Sequence, residues 1–173
     1  MVVGENMRFY MFRKIMFDFV FMNILINGFF YFVAFSTHKG ALTMVNVQSD
    51  LLVGLIWLGV LCSGFGFYNT KRDLQNCKYD IEGYHVRPVY RKLPKTFLGR
   101  VAFLTVVVIT CIYPLFMPIP QLLGAFEINH AIGLFLKAGA SAVAAGVIGH
   151  VVMNLCIMDY QDMQNAINAY SYS

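Results

Sequence analysis

AIGLFLKAGASAVAAGVIGHVVMNLCIM, residues 131–158, is a long apolar stretch whose one charged member is Lys137 and whose other polar side chains are Ser141, His150 and Asn154. A helix rising ~1.5 Å per residue needs about twenty apolar residues to cross a hydrocarbon layer, and this stretch is long enough. Three more runs of that kind precede it. Ile15 to Phe35 holds Asp18, Asn23 and Asn27, and Leu51 to Tyr68 holds Gly54, Trp57, Gly59, Gly64 and Gly66. Phe97 to Ile119 opens with Arg100 and carries Pro114 and Pro118, where a kink or a stop is expected.

Composition agrees with the runs. Of 173 residues 58% are hydrophobic and 13% charged, with a mean hydropathy of +0.62. A soluble domain carries roughly twice that share of charge and cannot bury so much apolar surface at this size. The expected fold is therefore an all-α integral membrane protein with four transmembrane helices, over residues 15–35, 51–68, 97–119 and 131–158, in a single domain spanning residues 1–173. The N-terminus, with Glu5 and Arg8, lacks a signal-peptide pattern, so the first helix is expected to be retained.

Topology follows the placement of Lys and Arg rather than the net charge of +4. Eight of the thirteen lie between Lys71 and Arg100, and Arg8, Arg13 and Lys14 precede the first helix. The connections 36–50 and 120–130 together hold one Lys, whereas 69–96 is long and basic. The N-terminus and the 69–96 loop are thus expected in the cytoplasm, and four crossings bring the 159–173 tail there too. A juxtamembrane segment explains the basic loop better than nucleic-acid binding does.

A tandem repeat is suggested by Phe12-Arg13-Lys14-Ile15 against Tyr90-Arg91-Lys92-Leu93, and by Val53-Gly54-Leu55-Ile56 against Ile132-Gly133-Leu134-Phe135. The chain reads as two helical hairpins pointing the same way. The lead-in Tyr90-Arg91-Lys92-Leu93-Pro94 resembles that of small bacterial two-helix membrane proteins, a likeness that carries no activity. A bacterial inner membrane is the expected location.

Chemistry is sparse. Cys62, Cys111 and Cys156 fall in helices and Cys77 in the basic loop, with no C-x-x-C spacing, which disfavours thiol redox catalysis. His38 and His130 could meet across the outer face, but two imidazoles without a placed third ligand do not make a metal site, and no motif implies a cofactor.

An ionisable group inside a membrane is costly and therefore a functional candidate. Asp18 and His150 lie at comparable depth and would pair if the first and fourth helices touch there; otherwise Asp18 reaches the interface beside Arg13 and Lys14, and His150 serves packing. Lys137 is expected to reach the outer headgroups. Asn23 with Asn27, and His150 with Asn154, are spaced i, i+4 and place polar pairs on one face. The small-residue stripes Ala138, Ala142, Gly146 and Ala145, Gly149 predict close packing on the fourth helix, and Gly59 with Ser63 on the second. A homo-oligomer is expected.

The expected function is a non-enzymatic scaffold or sensor, its basic loop engaging anionic membrane lipid or a cytosolic protein through Arg87, Arg91, Lys92 and Lys95, with Tyr79, Tyr84 and Tyr90 beside them. The tail adds Met163, Ile167 and Tyr170 at helical spacing. The alternatives are a small oligomeric channel or transporter lined by Asn23, Asn27, His150 and Asn154, and, third, a lipid- or quinone-directed enzyme using Asp18 and His150.

Overall fold

The computed structural model describes residues 7–76, 81, 83–122 and 127–171, which leaves Glu5, Cys77 and Tyr79 outside the described residues. Four helices long and apolar enough to cross a membrane follow in order: α1 Met7–Phe35, α2 Met44–Gln75, α3 Phe97–Leu122 and α4 His130–Ser171.

The second helix starts earlier than its predicted span and the third starts where predicted, each at a polar cap. The Thr43 hydroxyl accepts from the Asn46 amide at 3.3 Å to start α2, and the Thr96 hydroxyl accepts from the Gly99 amide at 3.2 Å to start α3. At α4, Asn129 Oδ1 accepts from the Ile132 amide at 2.8 Å. The basic loop is shorter than 69–96 because α2 continues to Gln75, and the tail is helical through Ser171.

Two helices are not regular. In α1 the segment Ile15–Phe21 is π-helical, and its widened turn directs Phe19 into the core while Asp18 stays outside. In α3 the segment Val108–Ile112 is π-helical immediately before Pro114, whose ring displaces the carbonyl four residues back. The helix then breaks at Met117 and Pro118 before the short turn Ile119–Leu122.

The centre of the bundle is α4. Ala140, Ala144, Ala145, Ile148 and Val152 are fully buried, whereas α1 and α3 keep most of their surface outward. The broadest contact is α4 on α2, followed by α4 on α1 and α2 on α3, while the α1 and α2 backbones seldom approach and these two helices meet through side chains. The sequential hairpins suggested by the repeat are therefore not the packing units.

Small residues decide this arrangement. The Phe19 ring lies between Gly66 of α2 and Gly149 of α4, where an added Cβ would come within 2.6 Å and 2.9 Å of it. Gly59 admits Thr105 of α3 in the same way. The two Arg-Lys motifs also differ: Lys14 is buried in α1, whereas Lys92 is exposed in the 3-10 turn Pro88–Lys92.

At one end the connections are joined. β1 (Leu42–Thr43) pairs antiparallel with β2 (Glu127–Ile128), Leu42 opposite Ile128, and both of these side chains are fully buried. The outward surface is apolar, with Phe32 70% and Phe135 78% exposed.

Candidate functional site

The charged side chains that the apolar runs leave over are paired between helices. Lys14 Nζ of α1 donates to Asp73 Oδ2 of α2 at 2.6 Å and to Asp18 Oδ2 at 2.9 Å, and Tyr10 hydroxyl also reaches Asp73. Arg100 of α3 makes a bidentate bond to Asp159 of α4 at 2.5 and 2.9 Å. Its Nε donates to the Pro94 carbonyl at 2.8 Å.

Both pairs lie at the end that holds the N-termini of α1 and α3. At the opposite end Lys137 of α4 donates to Asp50 of α2 at 2.7 Å, and its side chain is 4% exposed. From Lys137 to Asp159 the axial rise is about 33 Å, and from Asp50 to Asp73 about 34 Å, at ~1.5 Å per residue. That separation is close to a hydrocarbon thickness of about 30 Å.

These pairs were not read from the sequence. Lys137 does not extend to a surface as expected; it turns inward because α2 places a carboxylate beside it, and Tyr31 offers a ring face at 5.8 Å. The signal was present as opposite charges at matching ends of different runs, Asp50 with Lys137 and Arg100 with Asp159. Nothing in one sequence says which helices are neighbours.

The predicted intramembrane residues fall in separate places. Asp18 is exposed and bonded to Lys14, and His150 is exposed with its ring 6.5 Å from that of Tyr90. The segment around Asp18 packs on α4, but the structure does not bring these two side chains together. Asn23 Nδ2 donates to the Phe19 carbonyl at 2.7 Å and to Cys62 Sγ at 3.3 Å. Asn27 is buried and donates to the Asn23 carbonyl at 3.0 Å. Asn154 is buried, donates to the His150 carbonyl at 2.8 Å, and accepts from Tyr84.

Tyr84 fixes the basic loop. Its hydroxyl donates to Asn154 Oδ1 at 3.0 Å and its carbonyl accepts from Gln161 Nε2 at 2.7 Å, so one loop residue is tied to α4 twice. Burial raises the Tyr84 phenol above its ordinary value, Tyr90 adds to this, and Arg8 and Arg87 offset part of it. Tyr90 is buried beside it and raised for the same first reason. With the loop held, Arg87, Arg91, Lys92 and Lys95 all stand exposed; Arg91 approaches Asp162 at 3.7 Å. Arg8, Arg13, Lys71 and Arg72 are exposed at the same end, and Lys39 at the other.

No protein-family model matches the chain, and neither a curated protein nor a solved structure is significantly similar to it. The site therefore rests on its own geometry.

Two cavities of about 540 Å³ each follow the α1–α2 seam and share Asn23, Ile26 and Leu61. One ends at Asn27, Asp50 and Lys137, the other at Lys14, Asp18, Asn69, Arg72 and Asp73. At the end with the β1–β2 pair, His38 and His130 stand with ring centroids 6.4 Å apart, each also edge-on to Phe35. Among the described residues no third His, Cys, Asp or Glu joins them to make a metal-binding group.

Proposed function

We propose that the chain is an integral membrane protein crossing the bilayer four times with both termini in the cytoplasm, and that it is a non-enzymatic scaffold or sensor acting at the anionic lipid surface. The carrying observation is the exposed array Arg87, Arg91, Lys92 and Lys95, on a segment pinned to α4 through Tyr84. Clustered juxtamembrane cations attract anionic headgroups at about 1 kcal/mol each, and a pre-ordered segment loses little entropy on engagement. The clustering of Lys and Arg at this end, against few at the other, supports that orientation. A bacterial inner membrane fits these properties, and self-association through the exposed faces of α1 and α3 is part of the proposal.

The test is lipid enrichment around the full chain extracted in polymer-bounded native discs. Enrichment of anionic lipid over the bulk membrane is expected, and its loss in the variant Arg87→Gln, Arg91→Gln, Lys92→Gln, Lys95→Gln. Equal lipid composition in the two preparations rejects the proposal.

A second reading, docking of a cytosolic protein, is favoured by Met163, Ile167 and Tyr170, exposed at 43%, 54% and 83% on the last turns of α4. Crosslinking from these positions in cells would capture a specific protein if it holds. A channel lumen has weaker support, because Asn23, Asn27 and Asn154 are engaged inside the chain. Acid–base catalysis by Asp18 and His150 lacks the contact it needs.

A further inference from the structure

The groove between α1 and α2 is a boundary that the small-residue packing of the bundle does not close. Its walls are apolar, formed by Ile26, Phe30, Trp57, Leu61 and Phe65. It faces outward, since Trp57 and Phe65 are 59% and 64% exposed. At the basic end the lining changes abruptly to Asp18, Asn69 and Arg72.

The charges at this mouth are specific. Lys14 is buried between Asp18 and Asp73, so its ammonium is already shared by two carboxylates. Asp18 nonetheless keeps its side chain 56% exposed. Arg72 is exposed, with the Tyr68 ring at 5.9 Å beneath its guanidinium. The mouth thus offers one outward carboxylate, one outward guanidinium and the Asn69 amide, over a background in which Lys14 and Asp73 cancel.

We propose that this groove holds one membrane phospholipid with a primary-amine, zwitterionic headgroup. Its phosphate lies on Arg72 and Asn69, its ammonium on Asp18, and an acyl chain runs past Leu61 and Ile26 toward Trp57. A guanidinium takes two phosphate oxygens in a fork, and a carboxylate takes N–H donors that a quaternary ammonium lacks. A headgroup of net negative charge would place no ammonium on the outward Asp18 carboxylate. The basic loop favours anionic lipid, so the two sites differ in headgroup preference. This inference rests on the four-span reading but not on the loop.

The full chain is reconstituted into discs containing ethanolamine, choline and glycerol phospholipids in equal amounts, released in mild detergent and weighed by native mass spectrometry. Failure to incorporate into discs would overturn the membrane reading itself, and the lipid site with it. With incorporation, one retained ethanolamine lipid per chain is expected. Asp18→Asn is expected to bring the ethanolamine-to-choline ratio down to that of the disc, and Arg72→Gln to lower retention of every headgroup. Leu61→Trp, which fills the apolar wall, lowers retention without changing preference. The variant lacking the four loop cations retains the lipid. Absence of a retained lipid, preferential retention of the glycerol lipid, or unchanged preference in Asp18→Asn overturns the proposal, because Asp18 and Arg72 are exposed and Lys14 keeps Asp73 as its partner in Asp18→Asn.

Discussion

Lys137 Nζ stands 2.7 Å from Asp50 Oδ1, joining the two most extensively packed helices near the end where β1 and β2 pair. Removing one member leaves the other charge buried, a loss of about 3–5 kcal/mol, whereas replacing both by apolar side chains of similar volume is often neutral. Asp50→Asn is expected to lower the melting temperature of the detergent-solubilised chain substantially, and Asp50→Leu with Lys137→Met to recover most of it. A double variant as unstable as the single one would show that the pair stabilises the bundle by more than mutual neutralisation.

Phe19 sits where α1, α2 and α4 meet, and its fit depends on two missing methyl groups. Gly149→Ala and Gly66→Ala should each destabilise by about 1–3 kcal/mol through overpacking. Adding Phe19→Leu should restore part of that loss, since residues in contact are not additive. For each glycine, thermal unfolding of wild type, the two single variants and the double variant gives the coupling energy, and additive effects would contradict the three-helix contact.

Tyr84 tests whether the loop is held. Tyr84→Phe leaves Asn154 Oδ1 buried without its donor, at about 1–3 kcal/mol, and should loosen the segment so that trypsin cleaves faster after Arg91, Lys92 and Lys95. Its phenol titrates above the ordinary 10.0 in the folded chain, so the stabilisation is complete below that pH and is lost as pH rises through the higher folded value. The melting-temperature gap between wild type and Tyr84→Phe should therefore be constant at neutral pH and close in strong alkali. A gap that widened with pH would reverse the assigned sign.

Orientation can be read by single-cysteine labelling in an otherwise cysteine-free chain. A cysteine at Lys39 should react with an impermeant maleimide in intact cells, and one at Lys95 only after the membrane is opened. The opposite pattern would invert the proposed topology.

The sequence displayed the helices plainly because period, length and charge exclusion are local properties. Caps such as Thr43 and Thr96 were less legible, since a capping hydroxyl looks like any polar residue beside an apolar run. Helix adjacency was not legible. Asn23, Asn27 and Asn154 were visible as polar residues in apolar runs, but their partners depend on which helices meet. Asp50 and Asp73 were read as loop residues because each sits beyond the most apolar part of α2. The small-residue stripes on α4 were visible, and they are what allows α1 and α2 to approach that helix.

At ~1.5 Å per residue, the unbroken α4 is a rod of about 63 Å, roughly twice the hydrocarbon thickness. Its first turn abuts the paired strands and its last carries Tyr170 well past the basic loop. It has no break between these ends. If the chain crosses the membrane as proposed, one continuous helix joins its two faces, and a displacement at either end acts on the same element.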